Sequence, residues 1–251
     1  MEPMSKPPIL LIHGAFCHAA LLDPWTRYFT AAGYHCTAPS LPGHDPCDPT
    51  ALSRLGISDF LAALRDIRDR IGEPPILIGH SMGGLLAQHL ACERPCTALV
   101  CVASAPPWRL PIEFRSLPYF MPSMPRILAG RAFRPAASAV DFLVAHGLPR
   151  DERDDIQRLH VAESGRACRS MLLGSVSLRG ARPTCPVFCV SGGDDRIISL
   201  RVGEKLARLY KAEHVVVAGQ GHWLIAPSLI GTVAARIRLW LDQRFPSTAR
   251  D

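Results

Sequence analysis

Residues 75–84 read Pro75-Ile76-Leu77-Ile78-Gly79-His80-Ser81-Met82-Gly83-Gly84. Pro75 to Ile78 is a short apolar run, the pattern of a strand buried on both faces of a parallel sheet. A helical pattern follows from about Met82 to Cys92. Between them lies Gly79-x-Ser81-x-Gly83, whose glycines suit a turn so tight that side chains would strike the neighbouring strand and helix. Such a turn holds the serine in a strained backbone conformation and presents its hydroxyl as a nucleophile. The alternatives are a turn that only packs, or one that binds a phosphate at the helix N-terminus. No Lys-Ser or Lys-Thr pair follows the glycines, which counts against a nucleotide-binding loop.

Outward from this stretch, strand and helix patterns alternate. Upstream, Ile9-Leu10-Leu11-Ile12 reads as a buried strand ending at His13-Gly14. Asp23 reads as an N-cap before Pro24, with a helix running to Ala32 and closed by Gly33. Tyr34 to Ala38 gives a second strand, and Leu41-Pro42-Gly43-His44-Asp45 is turn chemistry. Ser58 to Ile71 has apolar residues at helical spacing and stops at Gly72. Downstream, Ala98 to Ala103 is a strand. Residues 106–182 then hold eight prolines and helix-like pieces near 135–145 and 150–175, with no clear strand. The rhythm resumes with strands at Val187–Val190 and His214–Val217 and helices at Arg201–Tyr210 and Leu229–Phe245. The expectation is an α/β core (1–105 and 183–251) interrupted by a mostly helical insertion (106–182).

A serine hydroxyl is too weakly acidic to attack a carbonyl unaided, so it needs a general base that is oriented by a carboxylate. Ser191-Gly192-Gly193-Asp194-Asp195-Arg196 follows the next core strand and supplies the acid. Asp195, which precedes Arg196-Ile197-Ile198, is preferred over Asp194, read as a solvated or turn-capping carboxylate. Gly219-Gln220-Gly221-His222-Trp223 follows the last strand and supplies the base, His222. All three positions lie at carboxyl ends of strands, where open α/β sheets place their ligands. The other histidines, His80 and His160 among them, read as satisfied structural or surface groups, with His80 pointing away from the site. A tetrahedral intermediate needs two N–H donors. Met82, at a helix start, is one; Ala15, in the loop after the first strand, is the other, with Phe16 as second choice. Phe16 and Trp223, beside these groups, are expected to touch substrate.

The 251 residues carry 28 Lys plus Arg, 22 Asp plus Glu and a formal charge of +6. Residues 106–182 alone hold 12 Arg against 7 acids, so the rest of the chain is nearly neutral. No basic run or binding motif accompanies the excess, which disfavours nucleic acid. Arg109, Arg115, Arg126, Arg131 and Arg134 are interleaved with Trp108, Phe114, Tyr119, Phe120, Met121, Met124, Phe133 and Phe142. Solvated arginines are preferred over an anion site, and the apolar set is expected to form mainly the insertion's own core, with some members lining a pocket. A lipid surface is a weaker reading. The nine cysteines are irregularly spaced without a CxxC pair, and read as free, mostly buried thiols rather than zinc ligands or a disulfide framework. No signal-peptide pattern precedes the first strand and no apolar run reaches about 18 residues, so a cytoplasmic location is expected. Nothing in the sequence fixes an oligomeric state.

HGAF (13–16), GHSMGG (79–84), SGGDDRII (191–198) and GQGHW (219–223), in this order, resemble the α/β-hydrolase superfamily. The His13-to-His18 loop and the Leu41–His44 turn are similar to small esterases of the methylesterase and hydroxynitrile-lyase kind and to related bacterial hydrolases. The resemblance implies an α/β-hydrolase fold with a mostly parallel sheet, helices on both faces and a helical cap at 106–182. It supports Asp195 over Asp194. Ser199 departs from the family, where many relatives have proline. A serine nucleophile disfavours the dehalogenase and epoxide hydrolase branches, which use aspartate there. The expected activity is hydrolysis of a small to medium carboxylic ester with an apolar part, through an acyl-enzyme and without metal or organic cofactor. A carbon–carbon hydrolase or lyase on the same residues, or a ligand receptor that retains them, are the alternatives.

Overall fold

Six strands form one sheet in the order β2-β1-β3-β4-β5-β6, every neighbouring pair parallel. They are β1 (Ile9–Ile12), β2 (Cys36–Thr37), β3 (Ile76–His80), β4 (Ala98–Val102), β5 (Val187–Gly192) and β6 (Glu213–Val217). The structure is a computed structural model describing residues 6–178 and 180–246. Every residue of β1, β3 and β4 is buried. That is why these segments are continuous apolar runs rather than alternating ones. Their side chains divide with period two. Leu10, Ile12, Leu77, Leu99 and Cys101 enter one core, with Leu64, Leu85 and Leu206 from the helices on that face. Ile9, Leu11, Ile76, Ile78 and Val100 enter the other, against Phe29, Ile237 and Leu241.

The helices Ile57–Ile71, Met82–Glu93 and Leu200–Tyr210 lie close to their expected bounds. Asp23 is the first helical residue rather than the N-cap, because a turn of 3-10 helix at Ala19–Leu22 leads directly into Asp23–Ala31. The expected strand at 34–38 shrinks to two residues at the sheet edge. The last helix opens with a 3-10 turn at Pro227–Leu229 and a π turn at Ile230–Ala234 before Ala235–Arg244. All nine cysteines are free; Cys47 is exposed, and five of the nine are buried.

Between β4 and β5 no strand occurs among the described residues. Leu117–Phe120, Met121–Ser123 and Met124–Leu128 are single turns, each with a proline in its opening positions, where the missing N–H is no loss. Pro118, Pro122 and Pro125 thus start turns ahead of the helix-like pieces expected near 135–145 and 150–175. The helical piece expected over 150–175 is two helices, Arg150–Leu159 and Gly165–Leu173. They are separated where Glu163 pairs antiparallel with Phe133 through bonds of 2.9 and 3.1 Å. Ser164 caps the second helix by accepting the Ala167 N–H at 3.1 Å.

The chain leaves β1 for β2 on one side and returns to β3 on the other. The crevice for ligands in such sheets opens at this reversal, beyond the carboxyl ends of β1 and β3.

Candidate active site

The turn after β3 is as tight as its glycines suggest. A Cβ on Gly79 would lie 2.3 Å from the Gly83 carbonyl oxygen, and one on Gly83 would lie 2.2 Å from that of Ile12. Ser81 adopts φ 54 and ψ −119, a conformation that L residues avoid at a cost of roughly 1–3 kcal/mol. Its backbone is held on both sides: the Ser81 N–H donates to Val102 O, and Ser81 O accepts from Ala105 N–H, each at 3.0 Å.

The loops after β5 and β6 meet Ser81 from the other side of the crevice. Gly193 N–H donates to Val217 O and Asp194 N–H to Gln220 O, both at 2.9 Å, so the two loops are laced together. The buried Asp195 carboxylate accepts Ile197 and Ile198 N–H on Oδ1, each at 2.8 Å. Its Oδ2 accepts from His222 Nδ1 at 2.8 Å. An ionised carboxylate only accepts, so Nδ1 carries the proton. Nε2 is left to accept the Ser81 hydroxyl at 2.9 Å. Asp194 is exposed.

His80 does not point away as expected. Its ring stands 5.1 Å from that of His222 and its Nε2–H donates to the His222 carbonyl at 3.0 Å. Burial and then the neighbouring His222 push its pKa down to about 3, so it remains neutral.

The loop after β1 lies beside Ser81 because Ile12 pairs with Gly79 in the sheet register. A Cβ on Gly14 would lie 3.0 Å from the Ser81 Cβ, so any larger residue here would press on the serine. The buried His13 accepts the Leu41 N–H on Nε2 at 2.9 Å, which leaves its Nδ1–H to donate to Gly14 O at 2.8 Å. Burial, and then the nearby His44, lower its pKa to about 3. In a planar trans peptide the N–H opposes the C=O, so holding Gly14 O turns the Ala15 N–H away from His13. Neither Ala15 N–H nor Met82 N–H meets an acceptor among the described residues. Phe16 N–H, the second choice on this loop, is already taken by Glu163 Oε2 at 3.2 Å.

A cavity of about 120 Å³ lies over these groups and includes Ser81 and His222 in its lining. Phe16 and Trp223 line it, as do Tyr119, Phe120, Phe133 and Leu143 from the insertion. Its polar members include Ser81, His222, His80, His160, Ser123 and the Tyr119 phenol, and no Asp, Glu, Lys or Arg side chain joins them among the described residues. Of the insertion's arginines, Arg109, Arg115, Arg126, Arg131 and Arg134, those interleaved with the aromatic residues, are exposed. Several apolar residues expected in an insertion core face solvent instead, Phe114 at 91% exposure and Met121 at 54%. His160, expected to be satisfied, is buried between the edges of Phe16 and Trp223, and its Nδ1 meets no hydrogen-bond partner among the described residues. Burial, then Arg134, lowers its pKa to about 4.

No group of His, Cys, Asp and Glu side chains suited to a metal ion occurs among the described residues. No described helix is long and apolar enough to cross a membrane.

A family model described as the alpha/beta hydrolase family matches residues 9–229. The chain belongs to this family. Among α/β-hydrolases, it is similar to a pyrethroid hydrolase of Sphingobium wenxiniae, 37% identical over 92 residues, which cover 37% of this chain and 33% of that protein. The chain thus aligns with about a third of the length of that curated relative. Of solved structures, a carboxylesterase from Nitrososphaera gargenis superposes with a TM-score of 0.73 at 16% identity, covering 95% of this chain and 92% of that one. A methylesterase from Arabidopsis gives 0.71 at 14%, covering 93% and 98%. At these identities the likeness is one of fold.

Proposed function

We propose that this α/β-hydrolase is a serine hydrolase that cleaves small to medium carboxylic esters with an apolar part. The observation that carries the reading is the unbroken hydrogen-bond chain Asp195–His222–Ser81, at 2.8 and 2.9 Å, opening into an apolar cavity. The pyrethroid hydrolase and esterase names among its relatives point the same way.

In this reading Ser81 Oγ bonds to the ester carbonyl carbon while its proton passes to His222 Nε2. The carbonyl electron pair moves onto oxygen, where Ala15 and Met82 N–H stabilise it, assisted by the dipole of the Met82–Glu93 helix. Collapse expels the alcohol oxygen, which takes the proton from His222. Water then repeats the sequence on the acyl-enzyme and restores Ser81. Asp195 keeps His222 in the required tautomer and stabilises the imidazolium. Phe16 and Trp223 bound the substrate beside the serine. The cavity volume approaches the ~150 Å³ that holds a single benzene ring, so one compact ring or short chain is the natural fit.

Hydrolysis of p-nitrophenyl esters of increasing chain length tests the proposal. Ser81→Ala should lose at least about 10⁴-fold in kcat. Turnover that survives in this variant refutes the nucleophile. A carbonyl product formed without an acyl-enzyme burst would replace hydrolysis by a lyase reaction.

A further inference from the structure

Glu163 is fully buried in the insertion, yet it bonds to the loop after β1. Three donors converge on its two oxygens. Phe16 N–H and His44 Nε2–H meet Oε2 at 3.2 and 3.0 Å, and Ser164 N–H meets Oε1 at 2.6 Å. His44 Nδ1 faces the Leu41 and Pro42 carbonyls at 3.3 and 3.2 Å and so carries a proton as well. With protons on both nitrogens, His44 is an imidazolium paired to a carboxylate, both side chains entirely buried. Burial opposes that cation, but the Glu163 hydrogen bond and charge outweigh it, leaving the His44 pKa raised.

The consequence falls on Ala15, whose two flanking peptides are both pinned. His13 holds Gly14 O on the N-terminal side. On the C-terminal side Phe16 adopts φ 62, a left-handed conformation uncommon for a bulky residue. Segment 161–163 grips it at both ends: Glu163 accepts its N–H, and Val161 N–H donates to its carbonyl at 3.0 Å. The His44 ring in turn packs edge-on against His13 at 5.2 Å. One carboxylate therefore reaches the Ala15 peptides by two routes.

We infer that Glu163, acting through Phe16 and His44, is a positioning residue that aims the Ala15 N–H at the oxyanion. This rests on the hydrolase reading above. Only a carboxylate serves all three donors, because an amide has one acceptor and one donor and must oppose at least one N–H with another.

The test compares wild type with Glu163→Gln and Glu163→Asp, the latter keeping the charge but shortening the reach. Both kcat and KM are measured on a p-nitrophenyl ester, together with affinities for an alkyl trifluoromethyl ketone and the matching methyl ketone. The trifluoromethyl ketone adds to Ser81 and places an oxyanion between the donors; the methyl ketone binds without that charge. The expected result is a loss of about 10- to 100-fold in kcat with KM nearly unchanged, part of the ~10²–10³ carried by a whole donor. Affinity for the trifluoromethyl ketone should fall in parallel while that for the methyl ketone holds. Folded variants within about twofold of wild-type kcat overturn the inference. So does equal loss of both ketones, or failure of both variants to fold, either of which makes Glu163 a structural staple. A wild type without ester turnover refutes the hydrolase reading itself, whereas an active wild type with unaffected variants refutes the inference alone.

Discussion

On the sheet side of the crevice, Ser81, Asp195 and His222 stand just past the ends of β3, β5 and β6. Backbone hydrogen bonds and glycines with no room for a Cβ fix each of them. On the insertion side, Tyr119 and Phe120 face them from a single turn started by a proline, Phe133 from an isolated bridge and Leu143 from a π turn, with arginines and some aromatic residues left in solvent. Hydrogen bonds join that side to the core at several places, two of them beside the site. Glu163 and Val161 hold Phe16. Near the acid loop, Ser116 donates to Arg196 O, while the Arg196 guanidinium donates to Phe142 O and lies over its ring. The proposed reacting groups thus sit where the backbone leaves least room for change, and the proposed substrate boundary is drawn partly from half-buried side chains such as Tyr119 and Phe120.

The largest effect that would break this contrast belongs to the acid. Asp195→Asn should lower kcat about 10⁴-fold by destroying the His222 tautomer, while Asp194→Asn should stay within about twofold. Steady-state kinetics on one ester decide it, and the reverse ranking would reassign the carboxylate. An intermediate effect is expected across the crevice. Phe120, half-buried at the cavity, should tolerate Phe120→Ala with a small change in Tm. The ratio of kcat/KM for an octanoyl over a butanoyl ester should rise about tenfold, the scale of a few methylenes in an apolar pocket. An unchanged ratio would mean that the insertion does not bound the acyl chain. The smallest effect is assigned to the arginines. Arg126→Ala or Arg131→Ala should move stability by no more than about 0.5 kcal/mol. Anionic and neutral esters should also respond alike to salt. A selective loss of the anionic ester with rising salt would make these exposed charges a recognition surface.

Legibility in the sequence followed the same division. β1, β3 and β4 announce themselves as apolar runs because burial on both faces leaves no polar alternation to confuse them. The meeting of Ser81, Asp195 and His222 was readable because strand ends carry them in a fixed order with glycines alongside. Glu163 was not, since its contact with Phe16 joins residues 147 apart and follows from the break between two helices that composition blurs into one. The signal that was available is Ser164, whose hydroxyl starts the second helix and so leaves the preceding residues extended. Pro118, Pro122 and Pro125 were only counted among the insertion's eight prolines, and no local pattern told that each starts its own turn. His160 and His80 carry no local pattern separating a cavity-facing imidazole from a buried structural one.

Ser81 occupies a backbone conformation that glycine enters freely and serine does not. Glycine there would relieve roughly 1–3 kcal/mol of strain and remove the proposed nucleophile in the same step. In the proposed mechanism, robustness and turnover therefore pull in opposite directions at this single position. Under the proposed function, a chain optimised only for sturdiness would be inert, and the strain at Ser81 is the stability given up for its chemistry.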